Sequence, residues 1–129
     1  LMKNDHRPVN INLIKIKLPI SALTSITHRL AGMYIFFITY PLSVFLFYLS
    51  IYSSESFINL TNILINNIYI STFVAFSYLV LWYHILTGVR HLIMDMHIGE
   101  SLEASKYSSI LVLLLWALSV IATFTVMFV

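Results

Sequence analysis

Few residues in this chain are equipped for redox or ligand chemistry, and the one in the most demanding surroundings is His84. It lies in a run from Ser56 to Val89 that contains no Asp, Glu, Lys or Arg. An imidazole at membrane depth is costly without a partner, which makes such a histidine a functional site by default. Two readings are open. One is a hydrogen bond to a neighbouring helix. The other is axial ligation of haem iron, since neutral imidazole is a common haem ligand and a dry site suits a large apolar macrocycle. Gly88, His91 and Asp95 follow His84 at helical spacings, so the four positions form one stripe.

A second polar group lies earlier, where Ser25, Arg29 and Gly32 share one helix face with His28 at its flank. Two of the chain's three glycines therefore fall on polar faces, where the missing side chain lets a helix or a flat cofactor approach closely. Haem propionates need cations near the membrane surface, and His28, Arg29, Arg90 and His91 stand nearer that surface than His84 does. His28 and Arg29 also fit a simpler role, snorkelling to lipid phosphates at a helix end. Ser25 beside a guanidinium makes a cradle for a carbonyl or carboxylate oxygen, or it caps a helix start. Asp95 reads as a surface acid, a partner for Arg29 or a proton source. His6 and His97 read as solvated, and Trp82 and Tyr83 as packing residues that could flank a cofactor.

These groups need a scaffold, and the composition specifies one. The chain has 129 residues, is 60% hydrophobic and 9% charged, and carries a net charge of +2. No charge occurs between Arg29 and Glu55, or after Lys106. Three stretches exceed the roughly 20 apolar residues that span a bilayer. They predict an all-α chain forming one integral membrane domain, with spanning helices over about 21–49, 68–94 and 107–129 after a polar arm at 1–20. Pro19 suits a helix start, while Pro41 falls inside the first span and predicts a kink. Residues 50–67, rich in Ser and Asn, read as a loop along the interface, and 95–106 as a polar connection. Lys and Arg fall on the arm, are absent from the first loop and return at Arg90 and Lys106, placing the arm and the second connection on the inside. The start of the first span and the end of the second then share one side of the membrane.

The absence of cysteine excludes thiolate-held iron–sulfur clusters, thioether-attached haem and disulfides. Neither a Gly-rich phosphate loop nor a charge large enough to suggest nucleic acid is present. The start has no apolar core of a cleavable signal, which fits an organelle-encoded or already processed chain.

Three segments carry a family resemblance: Arg7-Pro8-Val9-Asn10, Ser25-Ile26-Thr27-His28-Arg29-Leu30-Ala31-Gly32, and His84-Ile85-Leu86-Thr87-Gly88-Val89-Arg90-His91-Leu92-Ile93-Met94-Asp95. Together they resemble the cytochrome b556 subunit of succinate dehydrogenase, respiratory complex II, across nearly the whole chain. Met96-His97-Ile98-Gly99-Glu100 departs from that pattern. The resemblance implies a membrane anchor that packs with a companion anchor subunit into a helical bundle, alongside an iron–sulfur subunit and a flavoprotein subunit. It implies haem b with His84 as axial ligand, the second ligand coming from the companion. His28 and His91 would approach the propionates together with Arg29, while Ser25, Arg29 and Asp95 would line a ubiquinone pocket. The implied location is the mitochondrial inner membrane, N terminus on the matrix side, or a bacterial inner membrane. Rival readings are a structural anchor without cofactor, an anchor of a fumarate reductase, and a proton or ion relay through His84, His91 and Asp95.

Overall fold

A computed structural model describes residues 17–128, so the Arg7–Asn10 segment and most of the polar arm lie outside the described residues. Among those described, every regular element is helical. Pro19, extended at φ −62 and ψ 150, caps helix α1, Ile20–Tyr34, and its carbonyl accepts from the backbone N–H groups of Ala22 and Leu23. A π-helical turn, Ile35–Thr39, leads directly into α2, Tyr40–Tyr52, so the three pieces form one 33-residue span, Ile20–Tyr52. Pro41 explains the turn. Its ring displaces the carbonyl four residues back and offers no N–H, and the wider π geometry absorbs both defects without breaking the span. The hydroxyl of Ser43 takes up the Thr39 carbonyl at 2.7 Å, while Thr39 donates to the Ser77 carbonyl at 3.3 Å.

Residues 54–66 are not a loop but helix α3, Ser54–Asn66. The Ser and Asn content that suggested a loop supplies the caps. Ser53 Oγ accepts from Ser56 N–H, and Asn67 Oδ1 accepts from the N–H groups of Tyr69 and Ile70 to open the next helix. Glu55 in the first turn complements the helix dipole. Helix α4 is Ile68–Asp95 and α5 is Leu102–Phe128. The latter starts five residues ahead of expectation because Ser101 receives the Ala104 N–H at 3.2 Å. The connection shrinks to residues 96–101, with His97 and Gly99 both at positive φ, 62° and 75°.

Helix α4 packs against both α1 and α5, and α1 touches α5. The side chains most completely buried are Thr24, Thr39, Ser77, Thr87 and Ser109. Large apolar groups such as Phe36, Phe37 and Leu118 point outward. Burial of apolar area cannot drive association where the solvent is lipid, so small residues and hydrogen bonds do it. The seam is stitched by Thr24 to Ser109 at 3.0 Å, Thr27 to Tyr83 at 2.5 Å, Tyr34 to Ser77 at 3.1 Å and the Trp116 indole to the Leu79 carbonyl at 3.0 Å. Because α1 and α4 run antiparallel, the first turns of α1 lie beside the last turns of α4 and the first of α5.

Candidate functional site

The α1–α4 contact is a reciprocal arrangement of two histidines and two glycines. His84 on α4 lies against Gly32 on α1, its Cε1 only 3.0 Å from where a Cβ on that glycine would stand. His28 on α1 lies against Gly88 on α4, with the corresponding distance 3.4 Å. Each histidine occupies the space left by the other helix's glycine. The two imidazoles stack with centroids 3.9 Å apart and planes 6° from parallel, and His91 meets His28 edge-on at 5.1 Å. His28 therefore belongs to the centre of the contact rather than to its flank.

A hydrogen bond locates one proton of His84. Its Nδ1 lies 3.1 Å from the His28 carbonyl oxygen, which can only accept, so Nδ1 carries the proton. A neutral imidazole with Nδ1–H has its lone pair on Nε2, the form that ligates a metal, and the carbonyl partner holds the ring in that tautomer. Nε2 has no hydrogen-bond partner among the described residues, and His84 is half-buried. No group of three or more His, Cys, Asp or Glu able to cage a bare ion occurs among the described residues. A single prepared imidazole suits an iron whose equatorial positions are already filled by a macrocycle, so the donor set fits haem.

The remaining predicted residues distribute unevenly. Ser25 is half-buried on α1, five residues past its first residue, and so is not a cap. Arg29 is exposed, as is Asp95 at the last position of α4. They do not pair with each other within 4.0 Å, though both lie close enough to act on the charge of His91. Arg29 is thus open to a neighbour, and Ser25 partly so. Arg90 points its guanidinium to α5: it is buried, its Nε donates to Ser108 Oγ at 3.0 Å, and Nη2 donates to the Ser105 carbonyl and hydroxyl at 3.1 and 2.9 Å. It clamps α5 to α4, and its charge still reaches the neighbouring His91. Trp82 and Tyr83 likewise serve packing, donating to Ser119 and meeting Thr27 respectively.

Thr87 went unnoticed in the sequence. It lies fully buried against the ring of His28, Oγ1 2.6 Å from Nδ1. Its only sequence signal is its place one turn after His84, three residues on and next to Gly88. Two apolar clefts, of about 420 Å³ between α1, α4 and α5 and about 470 Å³ between α4 and α5, include none of the three histidines. The three histidines are each half-buried, so their face reaches the surface of this chain.

Comparison with known proteins bears on that surface. Residues 3–126 match the family described as succinate dehydrogenase/fumarate reductase transmembrane subunit. The chain is 35% identical over 106 residues to the succinate dehydrogenase cytochrome b556 subunit of Coxiella burnetii, covering 82% of this chain and 84% of that protein. It is 35% identical over 119 residues to the cytochrome b556 subunit of Rickettsia prowazekii, covering 85% and 90%. With the succinate dehydrogenase cytochrome b560 subunit of Porphyra purpurea it shares 30% over 105 residues, covering 80% and 82%.

Proposed function

The chain belongs to the succinate dehydrogenase/fumarate reductase transmembrane-subunit family, and we propose that within its complex it binds haem b through His84 and helps to form the site of ubiquinone reduction. As a membrane anchor of an oxidoreductase it works with other subunits. In this reading succinate is oxidised at a flavin on one partner and electrons cross iron–sulfur clusters on a second, while a companion anchor subunit provides the other half of the helical bundle. The N terminus faces the matrix of a mitochondrial inner membrane or the cytoplasmic side of a bacterial one.

The observation that carries the haem assignment is the Nδ1–H bond from His84 to the His28 carbonyl, which leaves Nε2 as the ligating nitrogen. A further ligand to the haem would come from the companion subunit. His28 on α1 and His91 on α4, nearer the inside ends of those helices, would hold the propionates, with Arg29 as the accompanying cation. Bound there, haem b supplies a one-electron redox centre beside the quinone. For the quinone itself, Arg29 stabilises negative charge developing on a carbonyl oxygen and Ser25 donates a hydrogen bond to it. Asp95, exposed at the end of α4, stands where protons from water can reach the pocket.

The tight packing of His84 on Gly32 also favours a second reading, a structural anchor in which the imidazole serves helix association alone. A reduced-minus-oxidised spectrum of the purified complex separates the two. A b-type band that is lost or altered in His84→Leu supports ligation, while its absence from the wild-type complex leaves the structural anchor.

A further inference from the structure

Thr87 has no exposed surface, and its hydroxyl is surrounded by three polar atoms. Oγ1 lies 2.8 Å from the Tyr83 carbonyl oxygen, 3.1 Å from that of His84 and 2.6 Å from Nδ1 of His28. A threonine hydroxyl has one proton. Two bare oxygens at 2.8 Å repel, so the proton points to the carbonyls of its own helix and a lone pair faces His28. Nδ1 of His28 is then the donor across the short contact. The carbonyl of the same residue accepts Nδ1–H of His84 at 3.1 Å. His28 is gripped twice by α4, at its ring by Thr87 and at its backbone by His84.

We propose that Thr87 is a positioning residue for the cofactor-binding histidines: it fixes the ring plane and the Nδ1-protonated form of His28, and the stacked His28 ring fixes the plane of His84. The stack at 3.9 Å and 6° transmits the constraint, because two rings in face-to-face contact cannot rotate independently. Nothing else among the described residues bonds the His28 ring, and Gly88 beneath it offers no side chain to hold it. The inference rests on reading His84 as the haem ligand, because only then does the plane of its ring have a consequence beyond packing.

The test combines ring-specific nitrogen-15 NMR of histidine in the whole complex with optical and redox measurements on the same sample. His28 signals are assigned by their loss in His28→Gln. Wild type and Thr87→Ser are expected to show His28 protonated at Nδ1, and Thr87→Val, of nearly equal volume but without a hydroxyl, to lose that form. The haem midpoint potential and low-spin signal should shift in Thr87→Val and return in Thr87→Ser. A bare Nδ1 on His28 in the wild type overturns the proposal even if no Thr87 variant assembles, and so does a Thr87→Val complex with wild-type ring signals and potential. A wild-type complex with no b-type band refutes the haem reading instead, and the NMR signals then still decide whether Thr87 orients His28.

Discussion

Gly32→Ala is the substitution whose outcome is set most directly by a distance. The added Cβ would stand 3.0 Å from Cε1 of His84, with Nδ1 and Nε2 at 3.7 and 3.9 Å. Carbon atoms rest about 3.5–4.0 Å apart, so the imidazole has to retreat by about 0.5 Å. It cannot do so freely. The His28 ring is stacked against it at 3.9 Å, and a retreat stretches the 3.1 Å bond to the His28 carbonyl towards its limit. Overpacking of this kind costs about 1–3 kcal/mol and the weakened bond about 0.5–1.5, offset by about 1 from replacing glycine in a helix. The net loss centres near 2 kcal/mol, some 30-fold in an equilibrium constant. Gly88→Ala is the built-in control, since its Cβ would meet His28 at 3.4 Å, an ordinary contact, and the helix gains its propensity. The assay is the b-type absorbance of the purified complex followed during heating, with subunit content checked on the same preparation. Gly32→Ala should lose the band earlier than wild type or bind haem substoichiometrically, while Gly88→Ala stays close to wild type. Equal haem retention in Gly32→Ala and wild type would show that His84 does not sit in the notch and would refute the packing argument.

Arg29→Ala and Ser25→Ala should each slow quinone reduction, Arg29→Ala the more, by roughly 10- to 100-fold for a lost charge-assisted bond of about 1.5–3 kcal/mol. The haem should stay unchanged in Ser25→Ala, whereas Arg29→Ala, which also removes the cation assigned to the propionates, should lower the haem midpoint potential; intact quinone reduction and inhibitor binding in both variants would end the pocket assignment. Arg90→Ala deletes a buried side chain that makes bonds to Ser105 and Ser108, and should destabilise the α4–α5 pair by about 2–4 kcal/mol, read by detergent-titrated unfolding of the complex. Arg90→Lys lacks the fork that reaches both serines at once, so it should recover little of this. Thr24→Val and Ser109→Ala should each cost about 0.6 kcal/mol, the usual size of a hydrogen bond between membrane helices, and the double variant little more than either alone, since both remove the 3.0 Å bond. Ser53→Ala should fray α3 by about 1 kcal/mol, seen as faster amide exchange confined to the first turn of Ser54–Asn66.

The three spans were legible because charge is excluded from them, and exclusion of charge is a property of each segment alone. Helix α3 was not, because the same Ser and Asn residues cap helices and fill loops; only the placement of Ser53 three residues ahead of Ser56, with Glu55 between, distinguishes the cases. The early start of α5 escaped notice for a similar reason, Ser101 being a cap in a stretch that reads as polar connection. Within the site, helical spacing grouped His84 with Gly88 and His91, but it fixed only which residues share a face. It carried no information on the register between α1 and α4. That register decides that His28 lies against Gly88 and His84 against Gly32, and that Arg90 turns to α5.

That register follows from the interactions available in lipid. Apolar side chains gain little by leaving lipid for a helix interface, so small residues and paired polar groups select one alignment of α1 on α4. Thr27 with Tyr83, His28 with Thr87 and Tyr34 with Ser77 all come into range together in a single antiparallel alignment, at 2.5, 2.6 and 3.1 Å. Sliding α1 along α4 by one turn, about 5.4 Å, would break all three and drive each histidine off its glycine. The residues that select the alignment therefore include the residues that present Nε2 of His84, and the site cannot be loosened without loosening the fold around it. A substitution in the seam distant from the histidines, such as Tyr34→Phe, should then disturb the b-type spectrum less than Thr27→Val. The Tyr34 hydroxyl reaches only Ser77, which also donates to the Phe73 carbonyl, whereas Thr27 precedes His28 in the chain.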